Sequence, residues 1–195
     1  MRTLTLLTAL TLGSALAAPV AYTVTDIESG NVVTAENETD IENFTATTTK
    51  IGGTVSFDAA AKTGSADLTV DGSTLKTGVA VRDGHMVSAD WFNFEKDPVI
   101  KFKTTKVTYV SGDMYKVEGT VTMHGVTKPV TADARVKLTP ANDVTKSMKI
   151  SGDALAVSVK FDVKLSDFEV KHPAIQAGRV SNVLPVSLKF IASNK

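Results

Sequence analysis

The feature that most constrains this chain is an alternation of apolar and polar residues with a period of two. It is clearest where Leu155, Val157, Val159, Phe161, Val163 and Leu165 occupy six successive odd positions, with Ser, Lys and Asp among the even ones. A strand turns successive side chains to opposite faces, so this run is a strand with one apolar face and one wetted face. A helix would need a period near 3.6, and no long stretch has it.

The same rhythm recurs along the chain. Ile51, Gly53, Val55 and Phe57 share one parity, as do Ala66, Leu68 and Val70 before the turn Asp71-Gly72-Ser73. Leu75 to Val81 follows. Tyr115, Val117, Gly119, Val121 and Met123 alternate up to His124-Gly125, and Val126, Val130, Ala132, Ala134, Val136 and Leu138 alternate after it. Two such runs flanking an X-Gly pair predict a tight hairpin, because Gly supplies positive φ. Between Thr104 and Val107 the parity slips by one, which turns side chains to the wrong face unless a bulge absorbs it. Ser111-Gly112-Asp113 is a turn, and Pro140 to Thr145 and Lys171 to Gly178 are loops. Leu184, Val186, Leu188 and Phe190 form a last strand, in which Pro185 must occupy an edge or non-bonded position. The sum is about eight antiparallel strands. Each must cover its apolar face, as a sandwich or a closed barrel does, and closure also removes exposed edges. The inward residues are mostly medium aliphatics, which either fill the interior or leave an apolar cavity.

One segment breaks the rhythm. Arg82 to Phe94, running on through Pro98 to Phe102, holds the chain's single Trp and three of its eight Phe. Ser88 is placed to cap a short helix carrying Trp91 and Phe92, which Pro98 cannot continue. One or two short helical turns are expected here, forming a plug or lip on the sheet.

Composition narrows the function. Residues 1–18 have a basic Arg2, an apolar run from Leu4 to Leu12 and an Ala15-Leu16-Ala17 cleavage pattern, which predict a signal peptide cleaved near Ala17/Ala18. That predicts a periplasmic or secreted protein, bacterial in character, with residues 19–195 as one domain. The sequons at Asn37 and Asn43 are then read as chance. No other run could span a bilayer. There is no Cys, so disulfides, thiol catalysis and Cys-based metal sites are excluded. Formal charge is zero, which gives no basic surface for nucleic acid. Six acids and no base lie between Ala18 and Thr49, read as a solvated edge, whereas Lys96 to Lys106 is basic and read as outward strand positions.

Arg82-Asp83-Gly84-His85 has acid–base chemistry, but no nucleophile motif accompanies it. An Arg82–Asp83 ion pair fixing the lip to the sheet is the preferred reading, with His85 and Asp90 as further anchors. His85, His124 and His172 are the only histidines, and none stand at ligand spacing, so no metal or cofactor is expected.

Several blocks together resemble the YceI-like family, exported bacterial lipocalin-like barrels that bind polyisoprenoid-type lipids. They are Gly53-Thr54-Val55-Ser56-Phe57-Asp58, Thr77-Gly78, Arg82 to Asn93, Pro98-Val99-Ile100-Lys101-Phe102 and Val117 to Val130. The resemblance runs from Ile51 to the carboxyl terminus. Ile27 to Phe44 lacks the family's early His-Ser pair and second His, and Leu165-Ser166-Asp167-Phe168-Glu169 stands for its Arg-Ser-Asp-Phe-Gly without the Arg or the Gly. The resemblance implies an all-β antiparallel lipocalin-like barrel with one or two short helical insertions. It also implies non-enzymatic binding, sequestration or transport of a polyisoprenoid, isoprenoid quinone or fatty-acyl lipid, with a homodimer compatible. Cavity walls are expected at Phe57, Phe92, Phe102, Phe161 and Phe168, with Trp91 and Phe94 at the rim. The rival readings are a lipid-modifying enzyme using Asp83 and His85, and a ligand-free envelope protein.

Overall fold

The computed structural model describes residues 18–27 and 30–195; of the signal peptide expected at residues 1–18, all but Ala18 lies outside the described residues. Among the described residues ten strands form one antiparallel sheet: β1 Val20–Val24, β2 Val32–Asn37, β3 Phe44–Thr48, β4 Ile51–Asp58, β5 Thr63–Asp71, β6 Val99–Ser111, β7 Met114–Met123, β8 Val126–Thr139, β9 Ala154–Lys164 and β10 Val183–Ser193. From β4 to β10 each pairs with its sequence neighbour. Helices α1 (Ala80–Val87), α2 (Asp143–Ser147) and α3 (Pro173–Gln176) lie in connections. No helix among the described residues is long and apolar enough to cross a membrane.

The sheet closes on itself through β10. One edge of β10 pairs with β9 from Val183↔Lys164 to Ser193↔Ala154. Its other edge takes β2 between Val186 and Lys189, then β1 at Ala192 and Ser193. β1 and β2 are therefore two lengths of one barrel stave. β3 and β4, which pair with β2 and β1 respectively, are another. Ten strands less these two joins give a closed eight-stave barrel. Buried Asn31 holds the first join: its amide donates to the Thr25 carbonyl, and its Oδ1 accepts from the Ile191 N–H at 3.1 Å. An Asn can serve both sides of such a break because it carries donor and acceptor together. The acidic stretch read as a solvated edge thus contains three paired strands.

The long alternation in β9 buries Leu155, Val157, Val159, Val163 and Leu165 inside, opposite exposed Lys160, Asp162 and Lys164. The parity slip in β6 is a bulge, since Thr104 faces Gly119 but Lys106 already faces Glu118. His124 (φ 54°) and Gly125 (φ 72°) make the two-residue hairpin between β7 and β8. Pro185 sits one residue beyond the ladder with β2, which begins at Val186, so its missing donor costs no bond there. At one end Phe57 meets Tyr115 edge-on, with ring centroids 5.8 Å apart, and Tyr109 packs on Tyr115 at 5.5 Å. These rings close that end of the barrel.

The expected helix is displaced. α1 lies before Ser88, not after it, and Ser88 ends it: its N–H and hydroxyl both donate to the His85 carbonyl, at 3.1 and 2.8 Å. Trp91 and Phe92 follow in turns. The loops at 140–145 and 171–178 contain α2, with an Asn142 capping box, and the one-turn α3.

Candidate functional site

The open end of the barrel is roofed by residues 72–98, between β5 and β6. Gly72 is buried, and its N–H donates to the Pro98 carbonyl at 2.7 Å, pinning both ends of this segment together. Phe94, 2% exposed, lies over Gly72 where any Cβ would come within 2.5 Å of its ring. Phe94 stacks on Phe92 with centroids 5.2 Å apart. Trp91 reaches across to the 171–182 loop and stacks on His172 at 4.1 Å. His172 Nδ1 accepts from the Ala174 N–H at 3.1 Å, so the ring also caps α3. The aromatic segment is a roof joined to two sides of the barrel mouth.

Beneath it lies a cavity of about 540 Å³. Its walls come from Ile100 and Phe102 on β6, Val121 and Met123 on β7, Phe161 and Val163 on β9, and Leu184, Val186 and Leu188 on β10. Ile100, Phe161, Leu184 and Val186 share the inward parity of fully buried neighbours, yet each is only partly buried. Inward residues keep such exposure only where the interior is hollow. The barrel is therefore not solid.

Of the residues expected to form the cavity walls and rim, Trp91, Phe92, Phe94, Phe102 and Phe161 line this space. Phe57 and Phe168 do not. Phe57 belongs to the closed end, and Phe168 is buried behind the wall, where its carbonyl meets Nδ1 of His124 at 2.9 Å. Parity put Phe57 inside correctly, but it says nothing about height along the barrel axis, and Phe168 lies in the turn after β9, where strand parity no longer applies.

The expected Arg82–Asp83 ion pair is absent; each residue is fastened elsewhere. Arg82 Nη2 donates to Glu42 Oε1 at 2.9 Å, and its guanidinium lies over the Phe44 ring, 4.0 Å from the centroid. Neighbours on a helix point about 100° apart, which separates the two heads. Asp83 Oδ1 accepts from the Thr77 N–H and the Thr77 hydroxyl, both at 2.7 Å. Those two bonds, the backbone one foremost, hold the Asp83 carboxyl below its ordinary range. They also tie the first turn of α1 to the preceding loop, where the N-cap residue Val79 has no side chain to do so. His85 and Asp90 line the cavity mouth but are exposed, and their side chains make no hydrogen bond among the described residues. Asp83, committed to Thr77, does not orient the His85 ring as a catalytic pair would require. No group of three or more His, Cys, Asp or Glu among the described residues could hold a metal ion.

Sequence reasoning missed Glu42, Phe44, Arg179 and His172, all of which line the mouth or support it. Glu42 belongs to the acidic run and gave no local sign that it faces two arginines 40 and 137 residues away. Asn37, within a sequon, is structural: its amide donates to the Glu42 carbonyl at 2.7 Å, and its Oδ1 accepts from Ser181 at 2.8 Å.

The family model of the YceI-like domain matches residues 22–192. The chain belongs to the YceI-like family. Among curated relatives, a UPF0312 protein of Serratia proteamaculans is 41% identical over 70 residues, 36% of this chain and 36% of that protein. Protein YceI of Escherichia coli O157:H7 is 36% identical over 122 residues, 61% of this chain and 59% of that one. The matched segments thus span less than two thirds of either relative. Among solved structures, Burkholderia cenocepacia BcnA superposes with a TM-score of 0.73 at 20% identity, covering 86% of this chain and 99% of BcnA. A polyisoprenoid binding domain from Saccharophagus degradans gives 0.60 at 16% identity, covering 89% and 98%. At that identity the likeness establishes the shared barrel. In this YceI-like chain Glu169, standing where the family pattern has Gly, takes the left-handed conformation at φ 62° and caps the turn 165–168.

Proposed function

We propose that this YceI-like protein binds a long apolar lipid chain inside its barrel, as a carrier or sequestering protein that does no chemistry on it. The observation that carries this is the hollow under the aromatic roof. Its volume lies within the range of about 300–1,000 Å³ usual for small-molecule sites, and its walls are aliphatic and aromatic save at the mouth. Each methylene moved from water into such a wall contributes roughly 0.8 kcal/mol, so affinity comes from chain length and not from many polar contacts. The similarity in fold to the polyisoprenoid binding domain of Saccharophagus degradans supports a chain of that kind, as a polyisoprenoid, quinone tail or acyl chain would be. A leader at residues 1–18 would place the encounter with lipid at the cell envelope.

Native mass spectrometry of protein purified from its own host, before and after organic extraction, tests the reading. A reproducible adduct of lipid mass, lost on extraction, is the expected result. Protein that is adduct-free from its host and takes up no added lipid would overturn it.

A further inference from the structure

Three segments distant in sequence meet on a single carboxylate at the mouth. Glu42 lies in the turn between β2 and β3, Arg82 on α1 and Arg179 just beyond α3. Glu42 Oε1 takes the Arg82 hydrogen bond at 2.9 Å, and Arg179 Nη2 stands 3.5 Å from Oε2. All three line the cavity. Within this cluster two guanidinium groups share one carboxylate; the neighbouring Asp83 is engaged by Thr77 and Asp90 makes no hydrogen bond to either arginine. A guanidinium carries five N–H donors, yet among the described residues Arg82 makes one side-chain hydrogen bond, to Glu42, and Arg179 makes none. The Arg82 guanidinium carbon sits over the Phe44 ring, 4.0 Å from its centroid, which restricts where its unused donors can point.

Burial of an apolar chain does not call for this arrangement. Forked N–H donors at the edge of an apolar hollow match the oxygens of a phosphate or carboxylate. We propose that Arg82 and Arg179 form a head-group site for an anionic lipid, one ending in a phosphate or carboxylate oxyanion, and that Glu42 fills this site when no lipid is bound. The Glu42 backbone stays put during the exchange: its carbonyl accepts from Asn37 at 2.7 Å and Thr39 at 3.0 Å, and its N–H donates to the Thr39 hydroxyl at 2.9 Å. Rotation of its side chain alone clears the arginines. Because Arg82 and Glu42 are about a quarter exposed, at 25% and 29%, the incoming oxyanion meets a guanidinium already partly stripped of water. Trading one carboxylate partner for another oxyanion then adds little desolvation cost. Glu42 is also a latch, since its two pairs tie the β2–β3 turn to both α1 and the 171–182 loop across the opening.

This assignment rests on the lipid-chain reading, and its test separates the two. Displacement of a fluorescent fatty-acid probe is measured with two ligand pairs that share a chain and differ in head: geranylgeranyl monophosphate against geranylgeraniol, and palmitate against hexadecanol. Wild-type protein is expected to prefer the anionic member by about tenfold or more, the scale of charge-assisted hydrogen bonds. A preference in the prenyl pair alone assigns phosphate, in the palmityl pair alone carboxylate, and either supports the site. Arg82→Gln with Arg179→Gln should bring the ratio of affinities to about one, and Glu42→Gln, which removes the built-in competitor, should widen it. Arg179→Gln alone, at a residue whose side chain is 66% exposed, should narrow the ratio with no change in melting temperature, which separates head-group loss from misfolding. Equal binding of acid and alcohol by wild type, or ratios unmoved by these changes, would overturn the head-group site and leave the chain reading intact. Failure of the probe and of all four ligands to bind would overturn both.

Discussion

Replacing Gly72 by Ala should strain the aromatic roof more than any other single methyl added to this chain's mouth. The new Cβ would stand 2.5, 2.6 and 2.7 Å from three atoms of the Phe94 ring, whereas real carbon–carbon contacts optimise near 3.5–4.0 Å. The ring must therefore retreat by about 1 Å. It has little room: Phe94 is 2% exposed, and Phe92 is stacked on its other face at 5.2 Å. Overpacking of this kind costs roughly 1–3 kcal/mol. For a chain of this size each kcal/mol lowers the melting temperature by about 2–4 °C. Because Phe92 and Phe94 line the cavity, the displaced rings should also weaken lipid binding. Thermal unfolding and probe binding are measured for Gly72→Ala, Phe94→Leu and the double variant. The smaller Leu should relieve the clash, so that the double variant is more stable than the sum of the two losses implies. Additive losses, or an unchanged melting temperature for Gly72→Ala, would refute the seating of Phe94 on Gly72.

Two further outcomes concern the supports of the mouth. Glu169→Gly should stabilise the protein by about 1 kcal/mol, because a side chain at φ 62° costs roughly that much relative to Gly; a loss of stability in denaturant titration would contradict it. In the folded protein the Asp83 carboxyl is held below its ordinary range, chiefly by the Thr77 N–H. Its stabilising contribution is therefore fully present above about pH 4 and fades as acid passes through the lowered folded value. The stability gap between wild type and Asp83→Asn should be constant near neutrality and close in strong acid, and a gap that instead widened on acidification would count against the Thr77 bonds as its cause.

Legibility in the sequence followed the range of the interactions involved. Strand periodicity is local, so β9, the β6 bulge and the His124-Gly125 hairpin could be read from neighbouring residues alone. β1 to β3 could not. Their inward positions are filled by Tyr22, Val33 and Ala46 among many Thr, and the stave that β1 and β2 build is broken at a join that depends on Asn31 reaching Ile191. Within the site, the aromatic roof was visible as a break in rhythm. The partners of Arg82 were not, because Glu42 and Phe44 reach it only after the barrel has closed. The adjacent Asp83 was the natural choice in one dimension and the wrong one in three. Phe57 shows the same limit: inward parity placed it in the core, and only the barrel's axis decides which core residues meet the hollow.

A chain-length series tests most directly whether the interior accepts a lipid chain. Calorimetric affinities would be measured for one head group on saturated chains of increasing length. A hollow of about 540 Å³ should give an affinity that rises about fourfold for each added methylene, the equivalent of ~0.8 kcal/mol, and then levels off once the chain fills the space under Trp91 and Phe92. Affinity that does not change with chain length, or no binding at any length, would contradict lipid-chain binding there.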